Sequence, residues 1–170
     1  MSKGSDSTKP DDPVYRQIFG VAESLAGIDE VIATARQTIR VFDISLGNRG
    51  FNSPARATLL REFFVRGRAH RLLIALHETE LLERECPRLL ILLRQFPSAI
   101  HIHRATGVAL QASDPFVIAD TAHFWHRLHY QHPRSVLSLG SPNDAKPLLD
   151  RFDEIWESSE LAVSASTAGL

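Results

Sequence analysis

The feature that most constrains this chain is an alternation between two apolar periods. TIRVFDIS (38–45) and RLLIAL (71–76) are short β-branched or apolar runs of the kind that form buried strands. Between them, Ser53 offers a helix cap and Pro54 suits a first helical position. Leu59, Leu60, Phe63 and Phe64 then form an apolar stripe, and Gly67 is a natural stop. A strand, a helix and a strand in this order predict a parallel crossover.

The same reading extends along the chain. VYRQI at 14–18 opens like a strand, and Ile28, Val31, Ile32 and Ala35 predict an amphipathic helix over Ile28–Gln37. Pro87 breaks the segment before it and predicts a helix over Pro87–Phe96. Ala99–His103 reads as a short strand, and Pro115–Ala119 with Ala122–Tyr130 reads as a hairpin turning at Asp120-Thr121. Ser135–Leu139 is a further strand. Ser141-Pro142-Asn143-Asp144 then has the form of a capping box, opening a last helix through Trp156. On that helix Phe152, Ile155 and Trp156 stand at i, i+3 and i+4 and predict one buried face. The expected fold class is α/β: a mixed, mostly parallel sheet with helices on both faces.

Composition narrows the function classes. The 19 Lys and Arg nearly balance the 20 Asp and Glu, giving a net charge of −1, which argues against bulk electrostatic capture of nucleic acid or anionic lipid. Cys86 is the only cysteine, so neither an intrachain disulfide nor a cysteine-built metal site is available. Its setting predicts an inert thiol. The longest apolar run, Leu89–Leu93, is far short of the roughly twenty residues that span a bilayer. No signal segment is read at the start, so the expectation is a cytoplasmic protein with no membrane contact. MSKGSDSTKPDDP (1–13) reads as a disordered tail, 14–159 as a single α/β domain and 160–170 as a flexible C-terminal tail.

These pieces together resemble one lobe of the phospholipase D-like superfamily, over about residues 22–158. The resemblance rests on VIATARQTIRVFDIS, the Ser-Pro helix, FVIAD ending at Asp120, GSPN at 140–143 and RFDEIWESS. The chain looks most similar to a bacterial family of uncharacterised single-lobe proteins with this ending, some linked to acetyltransferases. Active members of the superfamily carry His-x-Lys-x4-Asp, in which the imidazole attacks phosphorus and the lysine holds the non-bridging oxygens. Counting back from Asp120 places Ser113 at the histidine position and Pro115 at the lysine position. A serine without a neighbouring base is a poor nucleophile, and proline supplies neither charge nor side-chain donor. Asp120 itself reads as a turn residue that bonds local amides.

The resemblance, with both motif positions replaced, therefore leans away from an enzyme, toward a non-catalytic domain with a binding or assembly role, acting as a homodimer or with another protein. Two alternatives follow from other residues. His123, His126 and His129 are candidates for a rebuilt phosphodiesterase or nuclease site. Arg66, Arg68 and Arg71, with Ser141 and Asn143, are candidates for binding phosphate or nucleic acid. Each group also has a purely structural explanation. Ser141 suits a helix cap that accepts from backbone amides, and cations complement a helix C-terminus. No metal-ligand signature accompanies the eight histidines, and no cofactor is implied.

Overall fold

The computed structural model describes residues 12–165, so residues 1–11 and 166–170 of the two tails lie outside the described residues. The chain runs β1 (Val14–Ile18), α1 (Val21–Thr34), β2 (Thr38–Asp43), α2 (Pro54–Arg66), β3 (Arg71–Leu76), α3 (Leu82–Glu85), α4 (Pro87–Gln95) and β4 (Ile100–Ala105). A 3-10 turn (Gly107–Gln111), β5 (Phe116–Ala119), β6 (His123–Arg127), β7 (Ser135–Leu139), α5 (Pro142–Glu157) and β8 (Ser159–Val163) follow. One eight-stranded sheet has the order β1-β7-β6-β5-β2-β3-β4-β8.

The expectation of a mostly parallel sheet is wrong. Only β2–β3 and β3–β4 pair in parallel, and the other five neighbouring pairs are antiparallel. The reason is the connections. Helical crossovers carry the chain from β2 through β4, which keeps their direction constant. Beyond them, short turns join β5, β6 and β7 into a meander, and a meander is necessarily antiparallel.

Helices do cover both faces. On one, α1, α2 and α4 pack over Ile39, Val41, Leu72, Ile74, Ile102, Val117 and Trp125. On the other, Ala145, Leu148, Phe152 and Ile155 of α5 pack over Phe42, Ala75, Phe116, Ile118 and Phe124. Each large side chain so buried is worth roughly 1.5–3 kcal/mol. Trp156 is only half-buried, so it adds less to this face than Phe152 and Ile155.

The boundaries differ most from the sequence reading at two places. Helix α1 starts seven residues earlier, and its buried stripe is Ser24, Gly27, Ile28, Val31 and Ile32. Two of that stripe's five residues, Ser24 and Gly27, are small and carry no apolar signal. A Cβ on Gly27 would stand 3.0 Å from Ile18 and 3.7 Å from Trp125, so glycine is what lets the helix lie against the sheet. At the other end, edge strand β8 (Ser159–Val163) takes in residues 160–163, which the sequence reading set in the flexible tail. It pairs antiparallel with β4, Leu161 opposite His103 and Ser159 opposite Ala105. Among the described residues no helix is long and apolar enough to cross a membrane.

Candidate anion-binding cleft

Strands β2 and β6 both end at the same rim of the sheet, β2 on Asp43 and β6 on Arg127. There they border a cleft of about 850 Å³ whose lining includes Asp43, Ser45, Arg49, Glu78, Arg127 and Tyr130. Asp43 is 3% exposed. Its carboxylate accepts from Arg49 Nε at 2.5 Å and from the amide of Ile44 at 2.7 Å. Burial pushes the Asp43 pKa above its ordinary value, against the opposing pull of Arg49, the Ile44 amide and Arg127. The Arg49 guanidinium also lies over the Trp125 ring, 5.5 Å from its centre.

Arg127 donates from Nε to the His132 carbonyl. Its pKa is drawn down by burial first and by Arg49 second, against the attraction of Asp43. Arg49 thus pairs with the buried carboxylate, Arg127 feels its attraction without bonding it, and exposed Glu78 also lines the cleft. An oxyanion entering the cleft would meet a forked donor from each side.

A second arginine network holds the loop that presents Arg49. Arg56 on α2 is 1% exposed. Its Nε bonds Asp29 at 2.7 Å, Nη2 bonds the Leu25 carbonyl at 3.1 Å, and Nη1 donates to the Arg49 carbonyl. The guanidinium stacks on Phe51 at 4.9 Å. Gly50 has φ +77°, and a Cβ there would lie 3.2 Å from that guanidinium, so both the turn and the close approach require glycine.

The residues of the His-x-Lys-x4-Asp frame fall at opposite ends of β5. Ser113 and Pro115 precede the strand on the cleft side, where their carbonyls accept from the amides of Tyr130 and Arg127, both at 2.8 Å. Asp120 sits at the far end with φ 53°. Its carboxylate accepts from the amides of Arg36, Gln37 and Thr38 at 2.9, 2.8 and 3.0 Å. It ties the end of α1 to the start of β2.

The three candidate histidines do not converge. His123 Nδ1 accepts from the Gly140 amide at 2.9 Å. His126 Nε2 bonds Asp114 at 2.8 Å, and Asp114 also takes Arg151. β6 stops at Arg127, so His129 lies beyond the strand, stacked on Tyr130 with ring centres 4.8 Å apart. None of the three lines the cleft. Among the described residues no three His, Cys, Asp or Glu side chains form a group able to hold a metal ion.

Ser141 and Asn143 begin α5 at the end of the sheet away from the cleft, as the bond from the Ser141 amide to the Ala122 carbonyl shows. The Ser141 hydroxyl does not accept from the helix amides, as a cap would. It donates to Asp144 at 2.7 Å, and the backbone at φ −123°, ψ 84° turns the oxygen away from those amides. Arg66, Arg68 and Arg71 also lie at that far end, around the start of β3. Cys86 is buried with its pKa pushed up to about 11, first by burial and then by Glu85.

Sequence reasoning missed Asp43, Arg49, Arg56, Arg127 and Asp114. One signal for Asp43 was present. VFD at 41–43 ends an apolar strand on aspartate just as FVIAD does at 116–120.

Nuc from Salmonella typhimurium, a phospholipase D family member, superposes with a TM-score of 0.64 at 16% identity, over 90% of this chain and 100% of its own. NucT from Helicobacter pylori gives 0.60 at 11% identity, covering 89% of this chain and 100% of that one. TrmBL2, an archaeal chromatin protein with a novel mode of DNA binding, gives 0.68 at 16% identity, over 92% of this chain and 57% of its own. The class is therefore an α/β domain of phospholipase D-like fold. Within it, the chain belongs to the family described as Domain of unknown function (DUF7931), whose model matches residues 22–164. No curated protein sequence matches it.

Proposed function

We propose that this chain is a non-catalytic phospholipase D-like domain that binds a phosphate-ester oxyanion in the cleft of Asp43, Arg49 and Arg127. The observation that carries this reading is that the guanidiniums of Arg49 and Arg127 line one cleft, Arg49 paired with buried Asp43 and Arg127 bonded to a backbone carbonyl. Its non-catalytic half rests on Ser113 and Pro115 in the positions of nucleophile and phosphate-holding cation. It rests also on a lining with no histidine, cysteine or lysine. Binding rather than turnover is what such a donor set offers.

The test is a thermal-shift titration with phosphate, tungstate and a short single-stranded oligonucleotide. A ligand at a hundred times its dissociation constant adds about 2.7 kcal/mol to the folded state. The expected result is a clear rise with at least one ligand, lost in R49Q/R127Q. No rise with any of the three removes the reading. Turnover of a simple phosphodiester above a buffer blank anywhere between about pH 5 and pH 8 removes its non-catalytic half.

A further inference from the structure

The end of the sheet opposite the cleft carries a cluster that the cleft does not use. Arg66 Nη2 reaches the Ala35 carbonyl at 3.4 Å. The Arg71 amide bonds the Gln37 carbonyl at 3.0 Å, and Arg71 Nη1 holds the carbonyls of Arg68 at 2.8 Å and His70 at 2.9 Å. Arg40 Nη1 reaches the Asp120 carbonyl at 3.4 Å, and the Arg36 amide bonds the Asp120 carboxylate. These contacts gather Arg36, Arg40, Arg66, Arg68 and Arg71 around the starts of β2 and β3.

None of the five enters any of the seven ion pairs formed among the described residues. Asp120, the carboxylate among them, is taken up by three backbone amides. Helices α1 and α2 both end here, and each helix terminus presents roughly half a negative charge. That explains one arginine, not five. A chain of net charge −1 thus concentrates an uncompensated positive surface at one end.

We propose that these five arginines form a second polyanion surface, separate from the cleft, that takes the sugar-phosphate backbone of a nucleic-acid duplex. The guanidinium fork matches phosphate oxygens. The exposed aromatic side chains Tyr15, Phe19 and Tyr130 lie on β1, just after it, or between β6 and β7, so the patch offers no platform for unpaired bases. Val65 is the exposed large apolar side chain on α2 beside Arg66, too little to anchor a membrane. The recognition is therefore of backbone charge, without sequence preference.

The experiment is fluorescence anisotropy of the full chain with a labelled random-sequence duplex across a salt series. If each arginine meets one phosphate, affinity falls about 500-fold between about 50 and about 200 mM salt. In R66Q/R68Q the fall shrinks to about 40-fold and the low-salt affinity drops at least about tenfold. Should R66Q/R68Q melt early because Arg66 also holds the Ala35 carbonyl, R36Q/R68Q carries the same test, since neither of those side chains bonds the fold. R49Q/R127Q leaves duplex binding unchanged. Absent or salt-independent binding overturns the proposal, as does tighter binding to polyglutamate or to anionic vesicles. Loss of duplex binding in R49Q/R127Q would move the nucleic acid to the cleft and also overturn it. The phosphate titration of the cleft is read independently, so either proposal stands or falls alone.

Discussion

Asp43 and Asp120 each close an apolar strand, and their surroundings give them opposite work. Asp43 is buried against Arg49 at the cleft, with its pKa raised. Asp120 spends both carboxylate oxygens on three consecutive amides, a local role for which aspartate suits a turn with positive φ. The sequence count that aligned Asp120 with a catalytic motif was sound as a count. Only the structure shows where the side chain points. Asp120→Ala removes three charge-assisted bonds, partly solvated, and is expected to cost about 3 kcal/mol, with Asp120→Asn costing about half as much. Urea denaturation measures both. A loss below about 0.5 kcal/mol for the alanine variant would mean that water replaces the carboxylate without penalty.

Elements were legible where the apolar period and the punctuation agreed. In α2 the Ser53 hydroxyl accepts from the Arg56 amide, Pro54 opens the helix, and Gly67 follows its last residue. β3 and β7 have the bounds their apolar runs suggest, Arg71–Leu76 and Ser135–Leu139. Legibility failed where packing depends on small residues, as at Gly27 in α1, and where a strand is an exposed edge, as in β8. The cleft was hidden for a related reason. Arg49 and Arg127 stand 78 positions apart in sequence, and a loop and a strand end bring them together. In α5 the predicted face divides: Phe152 is 1% exposed, whereas Trp156 is half-buried and stacks on His103 at 3.7 Å. Phe152→Ala is therefore expected to cost about 3–5 kcal/mol. Trp156→Ala should cost less, about 2 kcal/mol, since Trp156 is only partly buried. Chemical denaturation of the two variants gives the order, and a larger loss for Trp156 would show that its stacking outweighs burial.

At the scale of the molecule, the open sheet has two edges, formed by its first and last strands. β1 stands outside β7, and β8 stands outside β4. Without β8, the edge would be β4, whose Ile100 and Ile102 sit in the main core while its outer backbone groups have no partner. β8 closes that edge with a backbone ladder. The Arg104–Glu160 bond at 2.9 Å and the contact of His103 Nδ1 with Ser159 Oγ at 2.9 Å add to it. Ser159 Oγ already donates its hydrogen to the Trp156 carbonyl at 2.6 Å, so His103 must be the donor in that contact, with its proton on Nδ1. Burial lowers the His103 pKa, with His101 adding to the shift, and this favours the neutral tautomer. The last strand, the last helix and β4 are thus one joint. A chain ending at Ser158 loses the ladder and both side-chain contacts, and is expected to lose about 3 kcal/mol if each ladder bond is worth about 1 kcal/mol net. Its β4 edge should also pair with other chains, so light scattering should rise with concentration as the melting temperature falls. A truncated chain that melts with its parent and stays monodisperse would show that β4 does not depend on this cover, and that the folded unit ends with α5.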